Sequence, residues 1–145
     1  MEIVLRNVTT DDLYFLYEML KERPAIASIS HKVVPTFEEH CLFVNSRPYK
    51  KWYIIWHVRS DEGTPSGMVP VGNIYLTDRY EIGIFVRPEW QGCGIGTMAI
   101  RMLMAEDPGA RYLANIATGN AKSKNLFCTV LGFRLIQETY VKEEK

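Results

Sequence analysis

The chain has 145 residues, 47% of them hydrophobic and 23% charged, with 17 Lys+Arg set against 17 Asp+Glu. That length amounts to a single domain over residues 1–145, long enough to bury a core without metal or disulfide staples. A formal charge of zero excludes a general nucleic-acid or membrane-surface binder, which needs an excess of positive charge.

Glu2–Arg6 alternates as a strand does. Thr10-Asp11-Asp12 starts a helix, with a hydroxyl cap and acids in the first turn. Leu13, Leu16, Tyr17 and Leu20 then keep helical spacing until Pro24. A loop over Pro24–Pro35 carries Ile26, Ile29 and His31. Thr36-Phe37-Glu38-Glu39 has the form of a capping box and opens a second helix that runs to Val44. Lys51–Arg59, Val69–Thr77 and Glu81–Val86 form an antiparallel meander, the first two joined by the long loop Ser60–Gly67. Ile95, Met98, Ala99 and Met102 mark a helix that ends by Asp107-Pro108. Tyr112–Ala117 is a strand, Ala121–Leu131 a helix stopped by Gly132, and Phe133–Val141 the last strand. The order β-α-α-β-β-β-α-β-α-β is an α/β arrangement, and its central strand–helix–strand unit forms a right-handed parallel crossover.

Cys41, Cys93 and Cys128 are the three cysteines. They lie far apart with no C-x-x-C spacing, which argues against structural zinc and a disulfide scaffold and for a reducing, cytoplasmic setting. The N-terminus has no apolar h-region, and no run approaches the ~20 apolar residues of a membrane span.

The segment that carries chemistry is Glu81-Ile82-Gly83-Ile84-Phe85-Val86-Arg87-Pro88-Glu89-Trp90-Gln91-Gly92-Cys93-Gly94-Ile95-Gly96-Thr97. A strand runs into a glycine-rich turn that opens a helix. The first N–H groups of a helix have no internal acceptor and the macrodipole makes that end positive, so an anion fits there. Glycines let phosphate oxygens reach the bare backbone. A dinucleotide fingerprint fails, because Thr97 stands where its third glycine belongs, and the Gly-Lys-Ser/Thr of a P-loop is absent. What remains is Gln91-x-x-Gly94-x-Gly96 behind Val86-x-Pro88.

With this loop, its E-x-G-x-x-V-x-P lead-in and the closing run from Asn120 to Leu131-Gly132-Phe133, the sequence resembles the GCN5-related N-acetyltransferase (GNAT) family over nearly its whole length. The resemblance implies a mixed sheet of six to seven strands with about four helices and acetyl-CoA as donor, with no metal. It implies that Gln91, Gly92, Cys93, Gly94, Ile95, Gly96 and Thr97 hold the pyrophosphate through backbone amides. It further implies that the pantetheine arm pairs with Ile84, Phe85 and Val86 where the sheet splays open, that Asn120 touches that arm, and that an oxyanion forms near the Val86 N–H.

Glu81 is the candidate base, since an attacking ammonium must first lose a proton. His31, Glu39 and Trp52 are candidate acceptor contacts, and His40 is a packed histidine. The acceptor is a small-molecule primary amine. Glu38 and Glu39 suit a cationic amine, and Lys50 and Lys51, in a Pro48–Tyr53 stretch similar to members that acetylate amino-sugar nucleotides, equally suit a phosphorylated sugar. RimJ/RimL-like action on protein N-termini and a non-catalytic acyl-CoA-binding module are the alternatives, in a monomer or homodimer. Many family members place a tyrosine just before L-G-F to protonate the leaving thiolate. Here counting from Asn120 gives Phe127 and counting back from Gly132 gives Cys128, so the segment is one residue longer than usual and has no tyrosine at either position.

Overall fold

The computed structural model describes residues 1–23, 33–59 and 67–143. Its elements are β1 (Glu2–Asn7), α1 (Leu13–Glu22), α2 (Phe37–Asn45), β2 (Lys51–Val58), β3 (Met68–Leu76), β4 (Glu81–Val86), α3 (Ile95–Ala105), β5 (Leu113–Ala114) and α4. The last helix begins at Ala121–Lys124 and continues in wide π-type turns over Asn125–Val130. Short-range chemistry sets the helix starts. Thr36 and Glu39 form the expected capping box, each side chain bonded to the other's backbone N–H. The first cap is Thr9 rather than Thr10: its hydroxyl accepts from the Asp11 N–H, and the Asp12 carboxylate accepts from the Thr9 N–H.

Five strands form one sheet among the described residues, ordered β1-β2-β3-β4-β5, antiparallel up to β4 and parallel between β4 and β5. Both faces are covered. Ile55, Val71, Ile74, Ile82 and the α3 residues Ile95, Ala99, Ile100 and Leu103 pack on one side with Phe127. On the other, Ile54 meets Leu16 and Met19 of α1 and Val44 of α2, with Trp52, Trp56 and Phe85 at the margin. Ile54 and Ile55 are adjacent on β2 and both wholly buried, because successive strand residues face opposite layers. Each such side chain contributes about 1.5–3 kcal/mol of burial.

The expectation of six to seven strands is corrected to five. Phe133 does pack on the core, edge-on to Phe127 at 5.2 Å, but the residues after it join no strand among the described residues. Leu135, Ile136, Tyr140 and Val141 are 50–83% exposed. The physical reason is the shortness of β5, which pairs only Leu113 and Ala114 with Glu81 and Ile82 and has no ladder on its far side. Alternation makes a strand only where a partner edge lies within reach.

The same shortness opens the sheet. Thr77 N–H bonds the Glu81 carbonyl and Arg87 N–H the Val71 carbonyl, so in the alternating antiparallel pattern the odd-numbered residues of β4 face β3. The main-chain groups of Ile84 and Val86 therefore face the side where β5 has already ended.

Candidate active site

A cleft of about 1660 Å³ follows this splayed edge and reaches the N-terminus of α3 and the side of α4. Gly94 precedes α3 with a φ of +87°, a left-handed conformation that L side chains rarely adopt, and open space where a Cβ would point. No side chain caps α3, and its first turn holds no acid. The N–H groups at that end thus remain available and the helix dipole is unopposed. Gly92, Gly94, Ile95, Gly96 and Thr97 all line the cleft. Gly96 has a different reason to be glycine: a Cβ there would lie 3.2 Å from the Leu126 side chain, so it lets α4 approach α3. Cys93 is exposed, its thiol donating to the Trp90 carbonyl at 2.9 Å, and its side chain does not line the cleft.

Gln91 ties the loop to its surroundings. Its amide donates to the Val86 carbonyl at 2.8 Å, while its carbonyl accepts from the Lys122 ammonium at 3.2 Å. Of the outward main-chain groups of Ile84 and Val86, the Val86 oxygen is taken, leaving the Val86 N–H and both groups of Ile84. Lys122 brings a cation to the mouth of the loop. Sequence reasoning missed it, and its spacing two residues after Asn120 was the signal. Asn120 lines the cleft and caps α4, its Oδ1 accepting from the Ser123 N–H, which leaves its Nδ2 to donate elsewhere.

Glu81 also lines the cleft. Its carboxylate accepts from the Thr77 hydroxyl at 3.1 Å and from the Asn115 amide at 2.5 Å. Glu81, Gly83 and Phe85 share one face of β4, the face covered by α1 and α2, whereas Ile82, Ile84 and Val86 pack toward α3.

That α1/α2 side holds a smaller pocket of about 80 Å³, continuous with the cleft through shared walls at Arg23, His40, Phe43, Tyr49, Tyr75 and Phe85. Tyr49 and Tyr75 stack with centroids 3.9 Å apart, and Trp52 meets Tyr49 edge-on at 4.8 Å. Trp52 lines this pocket and donates from its indole N–H to Asn73 Oδ1 at 3.0 Å. Burial, then the adjacent Tyr75 hydroxyl, raises the Tyr49 pKa well above the ordinary phenol range, with Arg23 acting the other way. His40 is buried as expected. Burial lowers its pKa, and its Nε2 sits 3.1 Å from the Leu13 carbonyl, so the neutral ring carries its proton there.

Glu39 lines the cleft, but its carboxylate is held below the usual range by the Thr36 N–H that it caps. Lys50 lies over the Tyr80 ring and Lys51 pairs with Glu106 at 2.7 Å, and neither lines the cleft. His31 falls outside the described residues.

The extra residue of the closing segment is absorbed by the wide turns of α4. One inserted residue in a helix produces such a π-bulge, and here it settles which side chain faces inward. Phe127 is 3% exposed and walls the cleft, whereas Cys128 is exposed and does not. Gly132, at a φ of +78°, ends the helix, with Phe133 N–H bonded back to the Phe127 carbonyl. Cys128→Ala is therefore expected to leave turnover at this site within about twofold at all pH values. A pH–rate profile that lost its alkaline limb would return the thiol to the reaction.

The model of the acetyltransferase (GNAT) family matches residues 13–133. No curated protein matches the chain in sequence. Among solved structures, a domain from Methanocaldococcus jannaschii DSM 2661 is similar at 24% identity and a TM-score of 0.78, covering 95% of this chain and 92% of that one. Spermidine N-acetyltransferase from Vibrio cholerae, solved with CoA and spermine, is 18% identical with a TM-score of 0.69, over 98% and 85% of the two chains. The yncA protein of Salmonella typhimurium, solved with its cofactor acetyl-CoA, is 20% identical with a TM-score of 0.63, over 90% and 79%. At these identities the likeness is one of fold.

Proposed function

Because the chain belongs to the GNAT acetyltransferase family, we propose that it moves the acetyl group of acetyl-CoA to a primary amine of a small molecule by direct attack on the thioester. The observation that carries this reading is the continuity of two binding elements. The open main-chain edge at Ile84 and Val86 leads along the cleft to the uncapped N-terminus of α3. An extended arm takes the edge as an added strand, and the pyrophosphate behind it takes the amides of Gln91 to Thr97, with the Lys122 cation beside them. Both match acetyl-CoA, whose reactive carbon then lies against β4.

In the reaction, Glu81 takes the proton of the incoming ammonium, directly or through one water, from the face of β4 that looks toward α1 and α2. The Val86 N–H donates to the carbonyl oxygen as negative charge develops, and because that donor is fixed in a strand it needs no reorganisation. Holding amine and thioester in one cleft supplies the orientation term. Thiolate leaves without a tyrosine acid, as a thiol of pKa ~8.5 allows. The acceptor enters from the pocket walled by Tyr49, Tyr75 and Trp52. Lys50 and Lys51, on which a phosphorylated-sugar acceptor would depend, are engaged elsewhere.

The test is thiol release from acetyl-CoA with a panel of primary amines. Steady amine-dependent release is expected, with the acetylated amine found by mass spectrometry. Saturable acetyl-CoA binding with no release for any amine would overturn the enzyme in favour of an acyl-CoA-binding module.

A further inference from the structure

The small pocket beside the cleft is aromatic and aliphatic except for Arg23, His40 and Asn73. Asn73 bonds Trp52, and His40 is neutral and bonded to Leu13. Arg23 is thus the charged group of its wall. It follows the last turn of α1, and its backbone N–H closes that turn on the Met19 carbonyl. A cation at a helix C-terminus is ordinary, but such a side chain normally reaches water. Here the Nε is sealed from solvent and meets no acceptor among the described residues.

The carboxylates around it are committed. Glu22 accepts two bonds from Arg87, at 2.7 and 3.3 Å, and Glu18 pairs with Lys21 at 2.8 Å. Glu39 caps α2, and Glu81 is bonded by Thr77 and Asn115. The segment that follows, Pro24-Ala25-Ile26-Ala27-Ser28-Ile29-Ser30-His31-Lys32, contains no acid at all. The Arg87–Glu22 pair also fixes the end of α1 against β4, so Arg23 is held at a set place on the wall. A guanidinium with its Nε buried and no counterion among the described residues is unfavourable, and an anion that arrives with the ligand reverses that.

We infer that the acceptor carries an anionic group, a carboxylate or a phosphate, close to its amine, and that Arg23 binds it while the Tyr49–Tyr75 stack covers the rest of the molecule. This rests on the acetyltransferase reading. It makes Arg23 the residue that selects the substrate class. Such an acceptor differs from a polyamine, whose several cations would face the same guanidinium.

The experiment measures binding and turnover separately on the full chain saturated with CoA or acetyl-CoA. Five ligands are compared: phenylalanine, its methyl ester, phenethylamine, 2-aminoethyl phosphate and spermidine. The intact chain is expected to bind phenylalanine or 2-aminoethyl phosphate at least tenfold more tightly than the methyl ester, phenethylamine or spermidine, and the better of the two names the anion. Arg23→Met should remove that preference through KM, leave the KM for acetyl-CoA unchanged, and leave phenethylamine as good or better. Arg23→Lys should restore part of the preference. Equal or tighter binding of the uncharged or polycationic amines to the intact chain would overturn the inference, as would an Arg23→Met loss equal for all five. If anionic amines bind through Arg23 but no thiol is released, the inference stands as a binding site and the transfer reaction fails. If amines are acetylated without regard to the anion, only the inference fails.

Discussion

Gly94→Asp is expected to weaken acetyl-CoA binding by well over tenfold, a loss of more than ~1.4 kcal/mol. Two effects add at this position. The backbone holds a φ of +87°, which costs most residues bearing a Cβ roughly 1–2 kcal/mol, and Asn or Asp less. No heavy atom lies within 4 Å of where that Cβ would sit, so the new carboxylate projects into the space assigned to phosphate and repels it at the uncapped end of α3. Gly94→Asn isolates the charge, since asparagine and aspartate share the same tolerance of the left-handed region and only aspartate is charged. The expected order of affinity, read by calorimetry, is parent, then Asn, then Asp. A folded Asp variant that bound acetyl-CoA as tightly as the parent would remove the pyrophosphate from this loop. Gly96→Asp is the poorer test, because its side chain runs into Leu126 and loosens α4 as well.

Glu81→Gln is expected to lower turnover by ~10²-fold while acetyl-CoA affinity stays within about twofold, the range general-base loss usually gives. The substitution keeps shape. The glutamine oxygen still accepts the Thr77 proton, and Asn115 turns its amide to accept from the new NH2 in place of donating to the Glu81 carboxylate. What disappears is the capacity to hold the amine's proton. The effect therefore belongs in kcat, and it should diminish as pH rises toward the pKa of the acceptor amine, when free amine no longer needs a base. Full activity of a folded Gln variant across the pH range would reduce Glu81 to a bridge between Thr77 and Asn115 that holds the start of β4 to β5.

The elements that sequence made legible are those set by neighbours in the chain. The Thr36/Glu39 box, the alternation of β2 to β4 and the stop at Gly132 are local chemistry, and the helix and strand bounds follow them closely. Phe133–Val141 has the same alternation and makes no strand, because pairing depends on an edge contributed from elsewhere, and β5 offers two residues. The glycine turn ahead of α3 was legible because glycines at that spacing after a strand have few other uses. The acceptor wall was not. Tyr49 stacks on Tyr75 because β2 and β3 pair in one register, and Arg23 matters because its neighbours' carboxylates are already engaged. Neither fact is a property of any short stretch of residues. The one-residue surplus in the closing segment was visible as a counting conflict, and only the wide turns of α4 show that it turns Phe127 inward and Cys128 outward.

Gly83 lies directly across from Tyr75 in the β3–β4 register, and a Cβ on Gly83 would fall 1.9 Å from a carbon of the Tyr75 ring. The ring occupies the volume that any other residue at 83 would need, so the two positions are not free to vary independently. This imposes an order on the history of the site. A lineage that reshaped this wall for a different amine had to shrink or turn residue 75 to admit anything but glycine at 83. The reverse sequence of steps passes through a clash that is relieved only when the Tyr75 ring turns out of its stack on Tyr49. With the acceptor wall placed as proposed, positions 75 and 83 therefore change as a pair, and each constrains what the other can become.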